Sequence, residues 1–119
     1  MNGRIDVMLS AAKHLLLVFA VALPFSAHAA SAEKGKQAFI SHGCWQCHGF
    51  QGQGGSAGKQ LAPNVMPLAA MSGFVRNSNG PMPPYTKAVL SEDELADIHA
   101  YLESVPKPRD YKSIPQLAQ

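Results

Sequence analysis

Two cysteines are all the chain has, and they stand in one short run, Cys44-Trp45-Gln46-Cys47-His48. A small secreted domain can use a cysteine pair as a disulfide staple, but two intervening residues would leave a tight, strained loop. A thioredoxin-like redox pair needs a βαβ frame, and no run of alternating Val, Ile, Thr or aromatic residues bounded by turns supplies the strands. A structural zinc site needs four ligands, and two thiols with few histidines do not make one. What remains is C-x-x-C-H, the attachment sequence of c-type haem. Spacing does the chemistry: Cys44 and Cys47 span one edge of the porphyrin to add across its two vinyl groups, and His48 brings an imidazole under the iron from that same side. With no other thiols in the chain, one covalent haem c per chain is expected.

The start of the chain agrees with that chemistry. Arg4 and Lys13, offset by Asp6, precede an apolar run from Leu15 to Leu23, then Pro24 and Ala27-His28-Ala29. Charge, apolar core and a small-x-small site, in that order, describe a secretory signal peptide, here residues 1–29. The run falls well short of the ~20 residues a membrane-spanning helix needs, so membrane contact is expected only if the leader stays uncleaved. Export places the chain in the periplasm, where c-type haem is attached. Cleavage after Ala29 leaves 90 residues carrying eight basic and seven acidic side chains. A nearly neutral chain has no basic stripe for phosphates, which excludes nucleic acid as a partner.

Ninety residues allow one modest core. Three helices are readable. The first covers Ala32 to Ser41, with Ser31 as N-cap, Glu33 in the first turn, and Gly35, Ala38 and Phe39 on one side. A second starts at Pro67 and carries Leu68, Met71 and Phe74-Val75 at helical spacing until Asn77-Ser78-Asn79-Gly80 stops it. The third opens with Ser91-Glu92-Asp93-Glu94, a capping box with Leu90 and Leu95 as its hydrophobic staple. Leu95, Ile98 and Leu102 then form a stripe that Pro106 ends. Between the first two helices, Gly49 to Met66 is long, irregular and rich in Gly, Gln and Ser. Such a segment in a small domain calls for something to organise it, and a large cofactor does so. Residues 106–119 read as a Pro-rich C-terminal arm following a domain at 30–105.

With C-x-x-C-H near the start, Gly80-Pro81-Met82-Pro83 further on and an amphipathic last helix, residues 31 to 105 resemble a class I cytochrome c of the small bacterial type. The resemblance implies an all-α fold, with three or more helices wrapped around one covalently bound haem. It also implies that the first and last helices cross where a small residue meets an aromatic one, a pattern that Gly35 and Phe39 against Ile98, Tyr101 and Leu102 would match. His below the iron and Met above it complete the family's ligand set. A proline carbonyl that accepts the free N–H of the ligating imidazole belongs to it too; here the corresponding stretch is Ala62-Pro63-Asn64-Val65, which keeps only part of the family's Gly-Pro-x-Leu pattern.

Five residues are candidates for the sixth ligand: Met66, Met71, Met82, His42 and His99. His42 lies too near His48 along the chain to reach the opposite face, His99 sits on the last helix, and Met71 has core spacing. Met66 and Met82 both stand beside proline in loops. Met82 is the better placed, since Gly80-Pro81 and Pro83-Pro84 stiffen the backbone on both sides. Trp45 has two readings, as a docking aromatic at the thioether edge or as a cover for that edge.

The expected function is periplasmic one-electron transfer by a His48/Met82-ligated haem, without turnover of a substrate by the chain itself. The resemblance implies redox partner proteins: a periplasmic dehydrogenase or hydroxylase as donor, whose cytochrome subunit this chain would then be, and a terminal oxidase or another cytochrome as acceptor. The alternative is a gas-binding or peroxidatic haem protein with an open sixth site. The four-helix gas-binding cytochromes carry C-x-x-C-H near the C-terminus, unlike this chain.

Overall fold

The computed structural model describes residues 28–117. The expected leader therefore lies outside the described residues except for His28 and Ala29. Four α-helices form the domain: α1 (Ala32–Ser41), α2 (Trp45–His48), α3 (Leu68–Asn77) and α4 (Glu92–Ser104), followed by a short 3-10 helix, Tyr111–Ser113. Among the described residues there is no strand, and no helix is long and apolar enough to cross a membrane. This is a small all-α architecture, as the resemblance implies.

Caps set the helix starts. Ser31, in extended conformation, accepts the Lys34 N–H at the head of α1. At α4 the capping box is complete, with Glu94 N–H on Ser91 Oγ at 3.1 Å and Ser91 N–H on Glu94 Oε2 at 2.9 Å. Leu90 and Leu95, both buried, close the staple beneath it. Pro67, expected as the first helical residue, is the N-cap of α3, which begins one residue later at Leu68. α2 is legible only in the structure, since a single turn is too short to show any hydrophobic period.

The core is organised by one crossing. Gly35 of α1 lies so close to Asp97 of α4 that a Cβ on residue 35 would collide with the Asp97 carbonyl. A bare backbone there lets the two helices close until Phe39 meets Tyr101, ring centroids 5.7 Å apart and tilted by 58°. Phe39, Leu95 and Leu102 are each 1 % exposed, and burial of such side chains contributes about 1.5–3 kcal/mol apiece. α3 adds Met71 and Val75 to the same core. Phe74, expected with them, is 54 % exposed.

One charged side chain is buried at the crossing. Asp97 is 4 % exposed and its Oδ1 accepts the Ser31 N–H and bonds the His28 ring at 2.9 Å. Burial pushes this carboxyl up, but the Ser31 N–H and His28, with Lys34 nearby, outweigh it and hold the group below the usual carboxylate range. The C-terminal arm is less extended than its prolines suggest. Asp110 caps Tyr111–Ser113 by accepting the Lys112 N–H, and Leu117 N–H bonds Ile114 O at 2.9 Å.

Two outcomes are expected. Gly35→Val should destabilise the haem-loaded protein by about 3 kcal/mol, read as a lowered denaturant midpoint; an unchanged midpoint would show that the helices do not meet at that residue. In the uncleaved chain, where His28 is present, the folded Asp97 carboxyl is depressed, so its contribution is complete above about pH 5 and fades as pH falls through its unfolded value of roughly 3.9 and below. Asp97→Asn keeps an acceptor for Ser31 but removes the titration, so the stability gap between it and wild type should be widest above pH 5 and close on acidification.

Candidate haem-binding site

All four α-helices and both long loops wall one cavity of about 750 Å³, inside the range of roughly 300–1,000 Å³ typical of ligand pockets. Its floor is core: Phe39, Met71, Leu95, Ile98 and Leu102 line it. Its rim includes Phe74 and Met66, 54 % and 40 % exposed. A flat apolar ring in the cavity would cover large apolar side chains left exposed at such a rim.

Cys44, Cys47 and His48 enter from one side. Cys44 caps α2, and Cys47 and His48 follow at three and four positions, the spacing that places side chains on one face of a helical turn. All three line the cavity and both thiols are free. Burial pushes the Cys44 thiol up to about 11, although a backbone hydrogen bond draws it the other way. Gly49, at φ 74°, ends the turn in the left-handed region where glycine is favoured.

The His48 ring is held at its far nitrogen. Nδ1 bonds the Lys59 carbonyl at 2.7 Å. A carbonyl only accepts, so Nδ1 carries the proton and Nε2 keeps the lone pair that a metal requires. This corrects the expectation for Pro63: the acceptor is Lys59 O, and Pro63 is not part of the cavity wall. The loop after α2 explains the difference. Gly54 N–H returns to His48 O at 2.8 Å and Gly55 N–H bonds Gly58 O at 3.0 Å, folding the chain back under the turn. A Cβ on Gly58 would stand 2.7 Å from the Cys47 carbonyl and 3.0 Å from His48 Nδ1, so only a bare backbone reaches this place. Further on, the Leu61 and Ala62 N–H groups both bond Gly52 O.

Three methionines reach the cavity. Met71 is 7 % exposed within the core cluster. The Met66 carbonyl accepts from His99 Nε2 at 2.9 Å. Met82 is half-buried, and its carbonyl accepts from Ser78 Oγ at 2.8 Å. Neither His42 nor His99 lines the cavity: His42 pairs with Glu94 at 3.3 Å, and His99 Nδ1 lies 3.4 Å from Glu103. Trp45 is also absent from the wall. It stacks on Phe50, centroids 4.6 Å apart and planes within 11°, and Phe50 is 57 % exposed. The Phe50 carbonyl accepts from Tyr101 Oη at 2.7 Å, which ties this stack to α4. Tyr85, a residue the sequence analysis did not single out, joins the wall and sends its hydroxyl to His42 O at 3.0 Å.

Two thiols and a correctly protonated imidazole on one helical turn, facing an apolar cavity, fit a c-type haem. A family model described as cytochrome c oxidase, cbb3-type, subunit III, matches residues 30–102, the span holding α1 to α3, the C-x-x-C-H turn, Met82 and most of α4. No curated protein and no solved structure matches the chain. On the strength of the family match, the chain belongs to that family, and its domain is a small cytochrome c, an electron-transfer protein with covalently bound haem c.

Proposed function

We propose that the protein is a periplasmic one-electron carrier in which His48 and Met82 hold the iron of a single haem from its two faces. The observation that carries this reading is the pairing of two fixed donors on one cavity. His48 is locked at Nδ1 by Lys59 O, and Met82 stands in a loop tied down by Ser78. Met71 is committed to the core, and Met66 lies at the open rim.

Haem c, when bound, supplies a one-electron couple at its iron. The residues around it do the rest. His48 donates Nε2, and the Lys59 carbonyl makes that imidazole a better donor. The thioether of Met82 and the apolar walls of Phe39, Leu95 and Leu102 both disfavour added positive charge, which raises the reduction potential. With His48 and Met82 both holding the iron, no site would be left for a substrate, and the chain would pass electrons between partners. A periplasmic dehydrogenase or hydroxylase is the donor in this reading, with the chain as its soluble acceptor or its cytochrome subunit, and a terminal oxidase or a second cytochrome is the acceptor.

Two measurements test the proposal. Intact mass of the periplasmic protein should equal a chain beginning at Ala30 plus one haem, with no free thiol; a Cys44–Cys47 disulfide in the loaded protein would rule out the attachment. The oxidised protein should show the weak near-infrared sulfur-to-iron charge-transfer band. Met82→Ala should abolish it, admit carbon monoxide to the reduced protein and lower the potential, whereas Met66→Ala should leave all three properties unchanged. A band that survives Met82→Ala and vanishes with Met66→Ala would move the ligand to Met66. Ready binding of carbon monoxide by the reduced wild type at neutral pH would favour the open-site alternative.

A further inference from the structure

The loop carrying Met82 is closed at its base by a side chain that never reaches the cavity. Arg76 sits in the last turn of α3, 13 % exposed at its side chain, and is absent from the cavity wall. Its Nη1 donates to the Tyr85 carbonyl at 2.8 Å and its Nη2 to Glu92 Oε1 at 3.2 Å. The neighbouring residue makes the companion bond, Tyr85 N–H to Val75 O at 3.0 Å. Both backbone groups of Tyr85 are therefore tied to consecutive residues of α3. Ser78 to Tyr85 becomes a closed loop with Met82 within it, and Glu92 extends the tie to the first turn of α4.

We infer that Arg76 is a positioning residue for Met82: its two-pronged contact sets how often the loop opens and withdraws the thioether from the cavity. This rests on the proposed Met82 ligation. Geometry explains why arginine serves here, since a planar fork meets a carbonyl and a carboxylate at once, whereas a lysine ammonium is a single point charge on a flexible stem. Removing the guanidinium leaves the Tyr85 carbonyl without its partner, and loss of a hydrogen bond to a charged donor shifts an equilibrium by about tenfold or more. An exogenous ligand that binds only the open form gains affinity in proportion to the open fraction.

The experiment uses haem-loaded wild type, Arg76→Gln, Arg76→Lys and, as a control, Asp97→Asn, which weakens the α1/α4 crossing without touching this loop. Imidazole is titrated into the oxidised proteins while the sulfur-to-iron band is followed, and carbon monoxide is mixed with the reduced ones. Arg76→Gln should bind imidazole about tenfold more tightly and take up carbon monoxide faster by a similar factor. Arg76→Lys should fall between it and wild type, and Asp97→Asn should match wild type although its unfolding midpoint drops. Wild-type behaviour in Arg76→Gln overturns the inference, as does an equal change in Asp97→Asn. If Arg76→Gln does not accumulate as holoprotein, Arg76→Lys decides, and its equality with wild type overturns the inference. A wild type without the band overturns both this inference and the ligation it rests on, whereas a wild-type band with unmoved variants overturns the clamp alone.

Discussion

Everything in this small domain hangs on how closely α1 and α4 approach at Gly35. A helix pair separated by one more methyl group would not bring Phe39 onto Tyr101 and Leu102, and the floor of the cavity would lose its continuity. The same contact has a directional effect. α1 ends at Ser41, and Gly43, at φ 75°, turns the chain into Cys44. The orientation of the first helix thus decides where both thiols and the imidazole stand. Core packing and the placement of the C-x-x-C-H turn both depend on one absent side chain.

Below the C-x-x-C-H turn the economy is different. The segment from Gly49 to Met66 has no regular secondary structure, yet it is far from unorganised: Gly52 and Gly54 adopt left-handed conformations, and the Gly52 carbonyl accepts from both Leu61 and Ala62. These bonds make a backbone cradle, and its product is one carbonyl, that of Lys59, aimed at one ring nitrogen. The segment adds Ala62 to the core and Leu61 and Met66 to the cavity wall, and its backbone bonds supply the positional control.

How much of this a reader of the sequence sees depends on whether side chains carry the message. Ser31, Ser91 and Glu94 are side-chain caps, and the helices they start are legible almost to the residue. Cys44, Cys47 and His48 are recognisable because their chemistry is rare. Lys59 is invisible, because its contribution is a backbone carbonyl that any residue has; looking instead for a proline led to Pro63. The helical period rightly placed Phe74 on the inward side of α3, but periodicity cannot distinguish a side chain facing other side chains from one facing a cavity. Arg76 and Asp97 read as ordinary surface charges until the fold buries them against partners far along the chain.

The Met82 loop has a consequence for the speed of electron exchange. Proline at 81, 83 and 84 removes freedom that the loop would otherwise have even when open, and the bonds at Ser78 and Tyr85 close its ends. On the ligation proposed here, the loop presents its sulfur at nearly the same place in both charge states of the iron. Little nuclear rearrangement would then accompany each transfer, which would keep the reorganisation energy small. On that reading, the stiffness that would keep foreign ligands out would also let an electron leave without waiting for atoms to move.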